Sequence, residues 1–141
     1  MNSIIPLCEV ILSETELTAA QIPSAAITYQ LIIELTRSQP LTVGKLGSHI
    51  FLSGIYVYTG SARQRMYARV RRHVAKQKTC RWHIDYLLQS ADATITTLRF
   101  FQQPECLVNQ SIRAEIAIPG FGASDCRNGC GAHLKMVRDG G

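Results

Sequence analysis

The chain has 141 residues, 46% of them hydrophobic, with a formal net charge of +5 at neutral pH. These values are typical of one globular domain with its own core. No apolar run reaches the roughly 18 residues that a membrane helix needs, and the first residues lack the features of a secretory signal. We therefore expect a cytoplasmic protein without a membrane partner.

Residues 1–26 are predicted to be an extension that packs on the domain, and residues 27–141 to be the domain itself. In the extension, Ser13 and Glu16 have the spacing of a capping box, which predicts a short helical turn. Apolar residues then alternate with others over residues 27–35, which predicts a half-buried strand. Residues 39–47 contain a proline and two glycines, and are predicted to form a winding connection.

A second strand is predicted over residues 55–59, because β-branched and aromatic residues dominate there. Tyr56 and Tyr58 share one face of this strand. Gly60 ends it, and Ser61 is suited to cap the helix that follows. In that helix Met66, Val70 and Val74 have the spacing of a buried stripe, while a second face carries Arg65, Arg69 and His73.

Positive charge is concentrated around this helix. Eight of the fifteen Lys and Arg residues lie from Arg63 to Arg81, and no acidic residue lies between Glu34 and Asp85. A one-sided field of this kind attracts polyanions and predicts a nucleic-acid partner, although a solvated helix face is the alternative. The cations predicted to hold the nucleic-acid backbone are Arg63, Arg65, Arg71, Arg72, Lys76, Lys78 and Arg81.

The remaining elements complete an α+β domain. Residues 83–89 are predicted to form a helix, and residues 94–101 a third strand. Pro104 suits the first turn of a helix that continues to about Glu115. A turn-rich loop at residues 119–122 precedes a closing strand at 133–137. The predicted fold is a small mixed, mostly antiparallel sheet flanked by helices.

The cysteines allow a rival interpretation. Their number is five, which argues for reduced thiols rather than for a disulfide framework. Cys126, Cys130 and His133 are spaced closely enough to bind zinc, which would make this a zinc-stabilised interaction protein. Their spacing differs from the paired C-x2-C pattern, so reduced thiols or a labile Cys126–Cys130 bond are the alternatives.

Several segments match one family when they are taken together. They are residues 28–31, 43–47, 54–62, 69–73, 82–87, 105–106, 120–126 and 133–134. In this combination the chain resembles the GIY-YIG nuclease superfamily, and more closely a compact subgroup that also occurs fused to base-excision DNA glycosylases. The resemblance implies an endonuclease that hydrolyses DNA with one Mg²⁺ or Mn²⁺ ion, in DNA repair or processing, with a DNA-repair protein as a further partner.

The two halves of the family signature have to be placed with care. Gly54-Ile55-Tyr56 spells the first half, but it lies on the same predicted strand as Tyr58-Thr59-Gly60. In the family the two halves lie on neighbouring strands. The first half is therefore placed at Ile27-Thr28-Tyr29, where Ile27 replaces the family's glycine. A β-branched residue resists dihedral angles that glycine tolerates.

The resemblance also implies roles for individual residues. Glu105 matches the metal-binding glutamate, and Arg69 is placed to clamp the phosphate. His73, one turn further along the helix, could hold or deprotonate water. Tyr29 is assigned as water-positioner or general base, with Tyr58 as its hydrogen-bonding partner. Each role has an alternative. Glu105 could be a first-turn glutamate favoured by the helix dipole, and Arg69 a solvated arginine or a non-catalytic phosphate contact. His73 could cap or pack the helix end, and the tyrosines could be aromatic core residues whose hydroxyls bond to backbone.

Two further assignments stay open. His83 and Asp85 could pair or contact substrate, and the alternative is a structural hydrogen bond between the two. At the level of the whole chain, the alternative to an endonuclease is a nucleic-acid-binding module of the same fold that lacks catalysis.

Overall fold

The computed structural model describes residues 4–76, 78–112, 114–116, 118–122 and 132–137. Its main sheet has six strands, and a separate hairpin has two. The sheet contains β1 (Cys8–Ile11), β2 (Thr28–Leu35), β5 (Gly54–Ser61), β6 (Ala93–Phe101), β7 (Glu115–Ile116) and β8 (Leu134–Val137), and the hairpin contains β3 (Gln39–Thr42) and β4 (Ser48–Phe51). The helices are α1 (Met66–Val74), α2 (His83–Leu88) and α3 (Glu105–Gln110).

The strand order in the main sheet is β1-β6-β2-β5-β8-β7, and all of its described pairings are antiparallel. The predicted α+β fold with a mostly antiparallel sheet is therefore confirmed. No helix within the described ranges is long and apolar enough to cross a membrane.

The first half of β2 is covered on both faces. Leu31 and Ile33 are fully buried on one face, as the alternation predicts. Thr28 and Gln30, on the other face, are buried as well, whereas Glu34 near the end of the strand is exposed. Helix α3 packs against this part of β2 and against β5. The half-buried pattern is therefore limited to the end of the strand, and the part that carries Tyr29 belongs to the core.

The N-terminal extension joins the sheet directly. β1 pairs with β6 in a register that places Glu9 opposite Arg99. A single turn follows, in which the N–H of Thr15 donates to the carbonyl of Ile11 at 3.1 Å. The capping contact lies later than predicted, because the N–H of Thr18 donates to the side-chain oxygen of Gln21 at 2.6 Å. β1 is therefore an edge strand of the main sheet.

Other boundaries differ from the prediction. Helix α1 begins at Met66, and Ser61 is the last residue of β5 rather than a helix cap. The buried residues of α1 are Met66, Val70 and His73, while Val74, which was predicted to be buried, is 39% exposed. The predicted winding connection at 39–47 contains β3 and a short 3-10 turn, Gly44–Leu46, that leads into β4.

Helix α3 ends five residues earlier than predicted, at Gln110. The ammonium group of Lys135 donates to the carbonyls of Asn109 and Ile112 at 2.6 and 3.1 Å. These bonds satisfy carbonyls that a helix end leaves free, so the helix can stop there. Glu115 instead lies in β7, where it pairs with Met136 of β8.

Candidate active site

Tyr29 and Gly60 face each other across the strands β2 and β5. A methyl group on Gly60 would overlap the hydroxyl and ring of Tyr29. Glycine is therefore required here by the close approach of the ring, which lies over the neighbouring strand. The prediction that Tyr29 and Tyr58-Thr59-Gly60 occupy adjacent strands is confirmed, and Gly54-Ile55-Tyr56 lies at the other end of β5, as expected.

Ile27 stands where the resemblance to the GIY-YIG superfamily predicts a glycine, and it causes no backbone strain. The φ angle of Ile27 lies outside the left-handed region. Its N–H donates to the carbonyl of Phe101 at 2.9 Å, and its own carbonyl accepts from the N–H of Ala62 at 3.0 Å. Ile27 thus bonds to both neighbours of β2 in the way that an extended residue does.

The structure brings together the five residues assigned to catalysis. The hydroxyl of Tyr29 lies 2.7 Å from Nε2 of His73. The ring of Tyr58 lies 6.5 Å from that of Tyr29 and 6.0 Å from that of His73. Arg69 hydrogen-bonds to Tyr29, and its guanidinium also donates to the carbonyl of Ser61 at 3.1 Å.

Glu105 lies beside this group, because it lines one cleft with Ser61, whose carbonyl accepts the hydrogen bond from Arg69. One assignment has to be corrected. The hydroxyl of Tyr29 is hydrogen-bonded to His73 and Arg69, whereas Tyr58 meets Tyr29 as a tilted aromatic ring. The reason is the register, which places Gly60 rather than Tyr58 opposite Tyr29.

Burial keeps the central pair neutral. It raises the pKa of Tyr29 well above its usual value, with a smaller rise from Tyr58 and an opposing effect of Arg69. Burial also lowers the pKa of His73 to about 3, helped by the charge of Lys78. The Tyr29 hydroxyl and Nε2 of a neutral His73 share one hydrogen bond, and the His73 tautomer decides which of the two atoms donates. A neutral phenol at pH 7 can position water but cannot accept its proton as a phenolate would.

Glu105 is ionised and partly accessible. Burial raises the pKa of this carboxyl, but hydrogen bonds from His133 and Ser61 and the charge of Arg69 together hold it below its usual value. The side chain is 25% exposed, and its carboxylate contacts Nδ1 of His133. It opens on a cleft of about 180 Å³, which is also lined by Ile27, Thr28, Ser61, Arg63, Pro104 and Cys106.

This carboxylate fits one Mg²⁺ or Mn²⁺ ion, because hard cations bind oxygen and Mg²⁺ often takes one protein carboxylate and keeps several waters. Within the described ranges, no three His, Cys, Asp or Glu side chains converge to hold a metal. Cys126 and Cys130 of the zinc hypothesis lie outside those ranges. His133 contacts Glu105, and its Nε2 lies 4.0 Å from the sulfur of Cys106.

Three of the seven predicted phosphate-binding cations make contacts inside the protein. Both terminal nitrogens of Arg72 donate to the buried carboxylate of Asp85, at 3.0 and 2.9 Å. The ammonium of Lys76 donates to three carbonyls between α2 and β6, and that of Lys78 to two at the end of α1. These oxygens need donors, which is why the cations turn inward. The exposed cations of the set are Arg63, Arg65, Arg71 and Arg81, besides Lys76.

His83 and Asp85 have separate partners. Nδ1 of His83 accepts from the N–H of Gly122 at 2.8 Å. Asp85 is fully buried and accepts from Arg72 and from the backbone of Arg81. Residues two apart on a helix do not face each other, so the proposed His83–Asp85 pair does not form. The structural His83–Asp85 hydrogen bond considered as the alternative is therefore wrong as well, because each side chain has other partners.

Sequence reasoning gave Trp82 and Ser61 no role at this site, and it considered His133 only as a zinc ligand. The Trp82 ring centroid lies 4.9 Å from the guanidinium carbon of Arg69, while Ser61 and His133 hydrogen-bond to Glu105. The sequence could have pointed to them in two ways. Trp82 is a lone tryptophan beside a basic helix, and Ser61 and His133 lie inside segments that resemble the GIY-YIG superfamily. Their partners are distant in the chain and are brought close only by folding.

The fold and the site define an α+β domain in which a buried tyrosine–histidine pair lies beside an ionised glutamate. The chain belongs to the family described as Domain of unknown function DUF123, whose model matches residues 28–140. The match begins at the first residue of β2, so it covers all five converging side chains but not β1. Comparison with curated proteins gave no match, and comparison with solved structures gave none either.

Proposed function

We propose that this protein is a metal-dependent endonuclease of the GIY-YIG type that hydrolyses DNA phosphodiester bonds in DNA repair or processing. The observation that carries the proposal is the position of Tyr29, Arg69 and Glu105 around the end of β5, where Tyr29 faces Gly60, Arg69 donates to the carbonyl of Ser61, and Glu105 shares a cleft with Ser61. Hydrolysis of a phosphodiester needs a positioned water, a counter-charge for the developing anion, and help for the leaving oxygen. These three residues supply groups of the required kinds.

The proposed roles follow from protonation and hydrogen bonding. Arg69 is exposed and always charged, so its guanidinium can bind two phosphate oxygens. Tyr29 stays protonated, which favours the role of water-positioner over that of general base. His73 fixes the direction of the Tyr29 hydroxyl. Exposed arginines, among them Arg63 at the rim of the cleft, would hold the nucleic-acid backbone.

Glu105 would hold the metal ion. Ser61 and His133 would orient its carboxylate through the hydrogen bonds that they make to it. When bound, the ion supplies charge stabilisation at the phosphate and at the leaving oxygen. This arrangement needs an ionised Glu105 at neutral pH, and the lowered pKa of Glu105 meets that need.

A second candidate is a nucleic-acid-binding module without catalysis. The observation that favours it is burial, since Tyr29 is 2% exposed and His73 is 1% exposed. A phosphate could contact Arg69 and the exposed arginines of α1 and its flanks without reaching the Tyr29 hydroxyl. Such a module would bind duplex or branched DNA with an affinity that falls steeply with salt, but would not cleave it with any metal.

The variant Glu105→Gln tests the endonuclease proposal. We expect plasmid nicking that depends on Mg²⁺ or Mn²⁺ in the wild type, and a loss of at least about 100-fold in the variant. The matched control is Glu16→Gln, which changes an exposed carboxylate in the N-terminal turn and should leave nicking unchanged. Persistent cleavage by a highly purified Glu105→Gln protein would remove the assigned site. Salt-sensitive DNA binding without nicking in either metal would instead support the binding module.

A further inference from the structure

Trp82 contacts two guanidinium groups and one imidazole of helix α1. Its ring centroid lies 4.9 Å from the guanidinium carbon of Arg69 and 4.4 Å from that of Arg72. The His73 ring lies 5.6 Å away at a tilt of 47°. Trp82 is the only tryptophan of the chain. The same indole therefore contacts both residues of α1 that reach Tyr29.

The indole is anchored from two directions by one buried carboxylate. Asp85 accepts a hydrogen bond from the backbone N–H of Trp82 at 2.9 Å, which fixes the start of α2. It also binds Arg72 through two nitrogens, at 3.0 and 2.9 Å, and Arg72 in turn stacks on the indole. The ring thus has a fixed position relative to α1 before any substrate binds.

Arg69 needs such support, because it is exposed and a long arginine side chain has many rotamers. Its other contacts are the carbonyl of Ser61 and the hydroxyl of Tyr29. A cation–π contact favours one orientation of the guanidinium by about two- to fivefold. We propose that Trp82 is a positioning residue that holds Arg69, together with His73, in the orientation needed to engage phosphate beside Tyr29. The proposal rests on the proposed endonuclease function.

Two variants, Trp82→Phe and Trp82→Leu, test the role in turnover, with Tyr67→Leu as the control on the same helix. Tyr67 is half-buried and lines a shallow groove with Arg71 and Ala75. We expect Trp82→Leu to lower kcat for nicking by about three- to fivefold with little change in KM, since the lost contact favours one guanidinium orientation by about that factor and misplacement of a catalytic group acts on the chemical step. Trp82→Phe keeps an aromatic face and should stay within about twofold of the wild type. Tyr67→Leu should leave kcat unchanged.

A second readout does not depend on catalysis. Because Trp82 is the sole tryptophan, its fluorescence reports directly on the ring. Arg69→Lys should shift or change the intensity of this emission, whereas Arg71→Lys, at an exposed position of α1, should not. An emission spectrum that is identical in the wild type and in Arg69→Lys would overturn the proposal.

The outcomes separate the two proposals. Nicking by the wild type together with an equal rate in Trp82→Leu would overturn the positioning role and leave the endonuclease intact. Absence of nicking would overturn the endonuclease, and the positioning role would then be measured by duplex affinity. The affinity for duplex DNA should fall at least about threefold in Trp82→Leu relative to Tyr67→Leu. Equal affinities in the two variants would overturn the positioning role. If urea unfolding shows that Trp82→Leu does not fold, the emission spectrum of Arg69→Lys, which leaves Trp82 in place, carries the test.

Discussion

Burial decides the chemistry available to single residues at this site. Tyr29 and His73 are joined by a 2.7 Å hydrogen bond, and both lie inside the protein. Removing water penalises the charged form of each, so the tyrosine keeps its proton and the histidine does not gain one. At neutral pH the pair therefore acts as a rigid hydrogen-bonding unit rather than as an acid and a base.

The neutral state of His73 predicts how stability responds to acid. An unfolded chain binds a proton at a histidine near pH 6.5, whereas folded His73 binds one only near pH 3, so acidification favours the unfolded chain. His73 should therefore contribute a loss of about 1.4 kcal/mol of unfolding free energy per pH unit below 6.5. We expect His73→Gln to flatten this dependence, as measured by urea unfolding at pH 7, 6 and 5.

His83 provides the comparison for this experiment. Burial lowers its pKa as well, so the profile of His73→Gln should be flatter but not level. The carboxyls of Asp85 and Glu105, whose pKa values are lowered, act only at more acidic pH. A slope between pH 7 and 5 that is as steep in His73→Gln as in the wild type would contradict the buried neutral imidazole.

At the scale of elements, the contact of α1 with α2 depends on one carboxylate. Asp85 is fully buried and binds Arg72, whose side chain is 24% exposed. Asp85→Asn would leave the guanidinium without its counter-charge and weaken the bonds to the start of α2. We expect the unfolding free energy to fall by roughly 3 kcal/mol. This is the lower end of the range for breaking a buried ion pair, because Arg72 is partly exposed. Urea unfolding measures this loss.

The chain offers an exposed ion pair for comparison. Arg99 and Glu9 join β6 to β1 at 2.9 Å, with side chains 36% and 43% exposed. Glu9→Gln should cost less than about 1 kcal/mol, because water and salt screen such a pair. If both variants lost the same small amount, Asp85 would not be the anchor that the geometry describes.

Elements with a strong local pattern could be predicted from the sequence, and others could not. β2 alternates and β6 is rich in β-branched and aromatic residues, and these two strands and α2 begin within one residue of the predicted positions. β1 and the β3–β4 hairpin have four-residue strands, too short for a pattern to emerge, and their partners define them. The end of α3 depends on Lys135, which is distant in the sequence.

At the scale of the whole molecule, cation density could be predicted, but not the direction in which each cation points. Sequence alone treats Arg71, Arg72 and Lys78 as equivalent, whereas the fold uses the last two to satisfy oxygens of its own. The same limit applies to the candidate site. The family resemblance named its five residues, but the Tyr29–His73 bond and the role of Trp82 depend on how β2, α1 and α2 pack.

Long-range electrostatics yields a prediction for nucleic-acid binding. Arg71 is exposed on α1, so Arg71→Ala should reduce the slope of log affinity for duplex DNA against log salt by about 1. The control is Arg37→Ala, an exposed arginine beyond the other end of β2, roughly 25 Å from Tyr29 by strand length. Fluorescence anisotropy with a labelled duplex at several salt concentrations measures both. Equal slopes in all three proteins would place the DNA on another surface.

The overlap that a side chain at position 60 would make with Tyr29 has an evolutionary consequence. Position 60 is restricted by a neighbouring ring rather than by its own dihedral angles, because a methyl group there would meet the phenol. Positions 29 and 60 are therefore expected to vary together. A relative that gained alanine at the second position would have to shrink the first, and it would lose the hydroxyl that meets His73. In such relatives, the residues at positions 29 and 60 would together show whether the tyrosine hydroxyl is retained.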